Sequence, residues 1–117
     1  MQRIMLKSKI QRPTLTGTEL LYEGSVTLDE ELLQKANILP GEQVHVFNVN
    51  NGARLITYAI AAPRGSGTVM LNGPAARLGM VGDKIVILSF CEVSDEEAKG
   101  FKPLIIQVDE NNHPRES

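Results

Sequence analysis

A chain of 117 residues with 4% aromatic residues, one cysteine and a formal net charge of −2 has room for one modest core and no internal disulfide. Acids and bases are mixed along it, which gives no case for bulk attraction to nucleic acid or to a membrane surface. No apolar run approaches membrane-spanning length, and so small a core gains from closing a barrel or from burying surface between subunits.

The opening residues, Met1 to Lys9, lack the apolar stretch of a signal peptide. Residues 3–16 read as extended, interrupted at Pro13, with Thr14 and Thr16 suited to a strand. Thr27-Leu28-Asp29-Glu30 has capping-box spacing, which predicts a short helix from there to Lys35 or Ala36. Leu28, Leu32, Leu33 and Ala36 mark its apolar face. Asn37 can take a left-handed stop, and Leu39-Pro40-Gly41-Glu42 reads as a turn. A hairpin follows, with strands at 43–49 and 53–61 joined by Asn50-Asn51-Gly52. His45 alternates with Val44 and Val46 and reads as an ordinary strand residue.

Pro63 to Gly67 form another turn, and Thr68 to Leu71 a short strand ending at Asn72-Gly73-Pro74. Ala75 to Leu78 read as one helical turn. Lys84 to Phe90 make the strongest strand, with Cys91 a small filler near its end, suited to a reducing cytoplasm. Ser94 and Asp95 open a short acidic helix that Gly100 closes. A last strand spans 104–108, and the polar end from Glu110, which includes His113, reads as frayed. No His, Cys and carboxylate spacing suggests a metal site, so none is expected. Many short strands between Gly, Pro and Asn turns predict one mainly β domain over 1–117, a compact barrel with short helices.

Gly24-Ser25 is the pair with the most chemistry in it. A serine hydroxyl can attack the carbonyl before it, and glycine lets that peptide adopt a conformation other residues resist. The acyl group then moves from nitrogen to oxygen. Elimination of the ester and hydrolysis would leave a pyruvoyl group where Ser25 stood. The same two residues also read as a simple turn before a helix. On the strand from Ala53 to Ala59, alternation puts Arg54, Ile56 and Tyr58 on one face. Guanidinium and phenol together suit a carboxylate site with a proton donor, or a solvated strand face. Thr57 points the other way, so any role for it needs a bulge, its backbone or a neighbouring subunit. Asn72-Gly73-Pro74-Ala75-Ala76 lets backbone approach a ligand closely, or is only a strand-to-helix turn. Lys9 shares a face with Lys7 in an extended run, where solvation is the default. Tyr22 either supports the peptide before Ser25 or packs.

Taken together, Tyr22-Glu23-Gly24-Ser25, Asn50-Asn51-Gly52-Ala53-Arg54, Thr57-Tyr58 and Asn72-Gly73-Pro74-Ala75-Ala76 resemble the pyruvoyl-dependent aspartate 1-decarboxylases. The resemblance runs from Met5-Leu6-Lys7-Ser8-Lys9-Ile10 to the strand after Lys102-Pro103. It implies a double-psi β-barrel, a homotetramer with sites between subunits, and a cytoplasmic proenzyme that cuts itself between Gly24 and Ser25. The products would be a β chain, 1–24, and an α chain, 25–117, the latter starting with a covalent pyruvoyl cofactor derived from Ser25. The implied reaction converts L-aspartate to β-alanine and carbon dioxide for pantothenate, and so coenzyme A, synthesis. By matching positions, Tyr58 would donate a proton, Arg54 and Lys9 would hold carboxylates, and Thr57, Asn72, Gly73, Pro74 and Ala75 would contact substrate. Tyr22 would line the site, and Thr57 would also assist cleavage. Whether an accessory maturation protein takes part is left open. Gln11 stands where such relatives often have histidine, and Pro74 where alanine is common.

Two other readings compete. The helix-turn-strand run Glu31 to Val44 also looks like the swapped-hairpin barrels of bacterial DNA-binding regulators, although a net charge of −2 counts against phosphate binding. The third is a structural barrel that never cuts itself.

Overall fold

In the computed structural model, which describes residues 1–115, eight strands form one continuous sheet. The strands are β1 (Gln2–Gln11), β2 (Gly17–Glu19), β3 (Ser25–Asp29), β4 (Gln43–Asn48), β5 (Arg54–Ala62), β6 (Val69–Asn72), β7 (Ile85–Ser94) and β8 (Leu104–Gln107). Their order across the sheet is β2-β6-β3-β5-β4-β7-β1-β8. Parallel pairs (β1 with β8, β2 with β6, β3 with β5) sit among antiparallel ones. The ladder is open between β2 and β8.

Alternation explains how one sheet makes a core. Val26 and Leu28 of β3, Val44 and Val46 of β4, Ala59 of β5, Val69 and Leu71 of β6, and Ile85 and Ile87 of β7 are all buried. They join Ile10 and Leu15 in a single apolar cluster, so the sheet curls round its own inner face. The other face carries Lys9, Phe47, Arg54, Ile56, Tyr58, Ser25 and Asn72. The expected mainly β chain with short helices is what forms.

Helix α1 (Glu30–Lys35) closes one end of the core with Leu32 and Leu33. Its cap lies two residues later than the sequence spacing suggested. Thr27 and Leu28 stay in β3, paired with Ile60 and Ala61 of β5, and the Asp29 side chain accepts from Glu31 N instead. Strand pairing on both sides of Thr27 outweighs the capping box it could have started. Asn37 does take the left-handed stop, with φ 55°. A 3-10 helix (Gly73–Leu78) follows β6, and α2 (Asp95–Ala98) starts on a complete capping box between Ser94 and Glu97.

The chain end departs from expectation. It is tied down as far as Arg115, whose N–H donates to Gln107 O at 2.8 Å. The buried Asn112 accepts from Thr14 N at 2.7 Å and donates to Thr14 O and Gly67 O. A polar sequence looked frayed because its side chains serve here as substitutes for backbone pairing, which composition does not reveal. Residues 116–117 lie outside the described part.

Candidate active site

Ser25 opens β3 opposite Asn72 of β6, and both are buried. The serine hydroxyl donates to the carbonyl of Glu23 at 2.9 Å and accepts from Asn72 Nδ2 at 3.0 Å. The same amide nitrogen reaches Thr27 Oγ1 at 2.7 Å. The serine oxygen is thus held between the Glu23 carbonyl and the Asn72 amide. Gly24 supplies the flexible link between Glu23 and Ser25.

The turn after β6 backs this segment. Gly73 has φ 65°, and a Cβ there would lie 2.7 Å from Gly24 N and Tyr22 O. Only glycine lets the two stretches of backbone meet so closely. Pro74 takes the start of the 3-10 helix, where its missing N–H costs nothing, and its Cδ would sit 3.5 Å from a Cβ at Gly24. Ala75 faces the core, which leaves its backbone for any ligand.

Tyr58 stands on β5, next to β3. The parallel register starts at Val26 with Ala59, so one residue earlier Tyr58 falls beside Ser25 and Thr57 beside Gly24. The Tyr58 hydroxyl donates to Glu23 Oε2 at 2.9 Å. That bond, with some burial and the charge of Glu23, holds the phenol above its ordinary range. Thr57 pairs with Val44 on the inner face, and the β4–β5 register runs without a bulge. The bulge that would turn its side chain outward is not there. An open groove of about 560 Å³ runs past Tyr22, Thr27, Ile60, Met70 and Asn72 along the outer face of β3.

Two expected residues lie apart from this cluster. Arg54 is four residues before Tyr58, about 13 Å along the strand, and its guanidinium stacks 4.5 Å above the Phe47 ring. Lys9 pairs with Leu88 and Ile105 on β1, four strand positions from β3. Both nevertheless share the outer face of the sheet with Ser25. Gln11 sits at the end of β1 with its buried Oε1 unpartnered.

The sequence passed over three contributors. Glu23 was quoted in a motif but given no task. Thr27 was read as a helix cap, although period-2 spacing from Ser25 would have put it on the same face. Phe47, which seats Arg54, is its cross-strand partner in the predicted hairpin. The fold also gathers Asp29, Glu31 and His113, whose ligand atoms lie within 4.8 Å of one another. The Asp29 carboxylate is already engaged there by the N–H groups of Glu31, Gly65 and Gly67.

A mixed, curled sheet with a buried serine after glycine, facing an amide and a phenol, defines the class of protein to compare. A family model described as "Aspartate decarboxylase" matches residues 1–115. A protein named aspartate 1-decarboxylase from Thermoanaerobacter pseudethanolicus is 57% identical over 97% of this chain and 97% of its own. One of the same name from Albidiferax ferrireducens is 52% identical over 96% of this chain and 83% of its own. A third, from Desulfitobacterium hafniense, is 54% identical over 97% and 90%. Among solved structures, the rationally designed mkDPBB_sym_86 protein has a TM-score of 0.49 at 20% identity, covering 68% of this chain and 91% of that one. The computationally designed msDPBB_sym2 protein has 0.47 at 22%, covering 74% and 96%.

This chain belongs to the aspartate decarboxylase family and is an enzyme of that family. Its fold is mainly β with short helices, as expected, and is built on a single eight-stranded sheet. Among the described residues no helix is long and apolar enough to cross a membrane.

Proposed function

We propose that the chain cuts itself between Gly24 and Ser25 and then decarboxylates L-aspartate to β-alanine and carbon dioxide. The observation that carries this is Ser25 itself. It is buried, directly after glycine, with its hydroxyl held 2.9 Å from the Glu23 carbonyl and 3.0 Å from an amide donor. Attack of Oγ on the Gly24 carbonyl carbon breaks the peptide C–N bond and moves the hydroxyl proton to nitrogen, leaving an ester. Loss of the Ser25 Cα proton then expels the Gly24 carboxylate. Water replaces the nitrogen, ammonia leaves, and residue 25 becomes a pyruvoyl group on the 25–117 chain.

The residues present fit that group. It would stand at the start of β3, where Asn72 Nδ2 already meets the position-25 oxygen. When formed, it supplies a ketone that binds the substrate amine and draws electrons from Cα as carbon dioxide leaves. Tyr58, whose phenol is kept protonated in the uncut chain, returns a proton to that carbon. Asn72, the Gly73-Pro74-Ala75 backbone and Tyr22 line the substrate's place, and Thr57 contributes through its backbone.

Arg54 and Lys9 hold the two substrate carboxylates. Their distance from Ser25 within one chain favours a site completed by a neighbouring copy, in the homotetramer expected of the family. Exposed apolar residues on the surface, such as Ile4, Leu21, Ile56 and Met80, suit that assembly. Phe47 fixes the Arg54 fork in advance of binding. The enzyme would work in the cytoplasm and supply β-alanine for pantothenate. The DNA-binding reading keeps no supporting observation beyond the helix-turn-strand run, and the family match covers that run as well.

The test is release of β-alanine and carbon dioxide from L-aspartate by purified protein, beside Ser25→Ala. The wild type should turn over and the variant should not. Equal turnover by the two would remove Ser25 from the chemistry.

A further inference from the structure

We propose that Glu23 is a positioning residue that holds the Tyr58 hydroxyl beside Ser25 in the uncut chain and releases it when the Gly24–Ser25 bond breaks. This rests on the self-cleavage reading. It adds a residue to which neither the sequence nor the family match gave a role.

Glu23 grips both proposed reactive groups at once. Its carbonyl accepts from the Ser25 hydroxyl at 2.9 Å and its carboxylate accepts from the Tyr58 hydroxyl at 2.9 Å. The stretch from Leu20 to Gly24 belongs to no strand and joins β2 to β3 as a bend. What keeps Glu23 in place is the covalent link to β3 and the close approach of Gly73 to the flanking residues Tyr22 and Gly24. Cleavage removes the link. It also creates a carboxylate on Gly24, next to the one on Glu23, and like charges so close repel. Both effects loosen the grip on Tyr58.

The consequence is an order of events. Before cleavage, the phenol proton is committed to Glu23 and faces no substrate. After cleavage, the hydroxyl is free to turn toward residue 25. Glu23 and Tyr22 are the ionisable groups acting on Tyr58, and its cross-strand neighbour Gln43 carries no charge.

The chain has two tyrosines and no tryptophan, so phenolate absorbance reports on Tyr58 alone once Tyr22 is replaced by phenylalanine. Four proteins in that background decide the matter: uncut Ser25→Ala, the same with Glu23→Gln, the same with Glu23→Ala, and the self-cleaved chain. The uncut Ser25→Ala protein should titrate highest. Glu23→Gln should lower the midpoint by at least half a pH unit, Glu23→Ala should do the same, and the cleaved chain should fall with them. An unchanged midpoint on losing the Glu23 carboxylate, or a cleaved chain that titrates with the uncut one, would overturn the proposal. If intact mass shows that the chain with Tyr22 intact never cuts, the self-cleavage reading fails instead, and the Glu23→Gln comparison still reports whether the grip exists.

Discussion

Asn72 Nδ2 lies 3.0 Å from Ser25 Oγ, across an antiparallel pair in which both residues are buried. A buried hydroxyl held this closely is sensitive to volume as well as to chemistry. Ser25→Thr keeps an attacking oxygen that Asn72 can still meet, but adds a methyl at a fully buried position. Overpacking of that kind costs about 1–3 kcal/mol. The variant should therefore cut itself at least about fivefold more slowly than wild type, since 1.4 kcal/mol is about tenfold in rate. Band ratios over time on a denaturing gel measure this, and wild-type speed would mean the pocket is looser than described.

Gly73→Ala tests the contact from the opposite side. The new Cβ would come within 2.7 Å of Gly24 N and Tyr22 O, at a backbone φ of 65° that an L side chain tolerates poorly. The left-handed conformation alone costs about 1–2 kcal/mol, and the segment 22–24 must move as well. Cleavage should be slowed severely and the midpoint of denaturant unfolding lowered. A variant that cuts at the normal rate would show that this close approach does not position Ser25.

Asp29 ties the far end of the same strand. Burial by itself would raise its carboxyl pKa, but N–H donors from Gly67, Glu31 and Gly65, with His113 nearby, bring it below the ordinary range. A depressed folded pKa means stability that is complete above the unfolded value, about 3.9, and lost as pH falls through the folded one. Asp29→Ala should cost roughly 3 kcal/mol near neutral pH, a lost cap plus stranded donors. That difference from wild type should shrink as pH drops below about 4. Urea unfolding at several pH values checks it. A gap that stays constant into acid would deny Asp29 its charged role.

Much of this was legible beforehand because local rules and fold agreed. The Asn50-Asn51-Gly52 hairpin, the Asn37 stop and the turn at Gly41 follow from residues that accept positive φ. The alternation that sets Tyr58 and Arg54 outward and Thr57 inward is the strand period itself. What could not be read were long-range agreements. Thr27 looked like a cap until pairing with Ile60 and Met70 kept it in a strand. Asn112 looked like a loose end until it bridged Thr14 and Gly67. Glu23 gains its partner only because β5 lies parallel to β3, a pairing no short motif encodes. Lys9 and Arg54 share a face with Ser25 yet stand apart from it, a separation that depends on strand order.

The most direct measurement is the intact mass of freshly purified protein, with and without a hydrazine reagent. Two fragments should appear, residues 1–24 and residues 25–117, the larger blocked at its N-terminus and gaining the mass of one hydrazone. A single unbroken 117-residue chain that takes up no reagent would contradict the account.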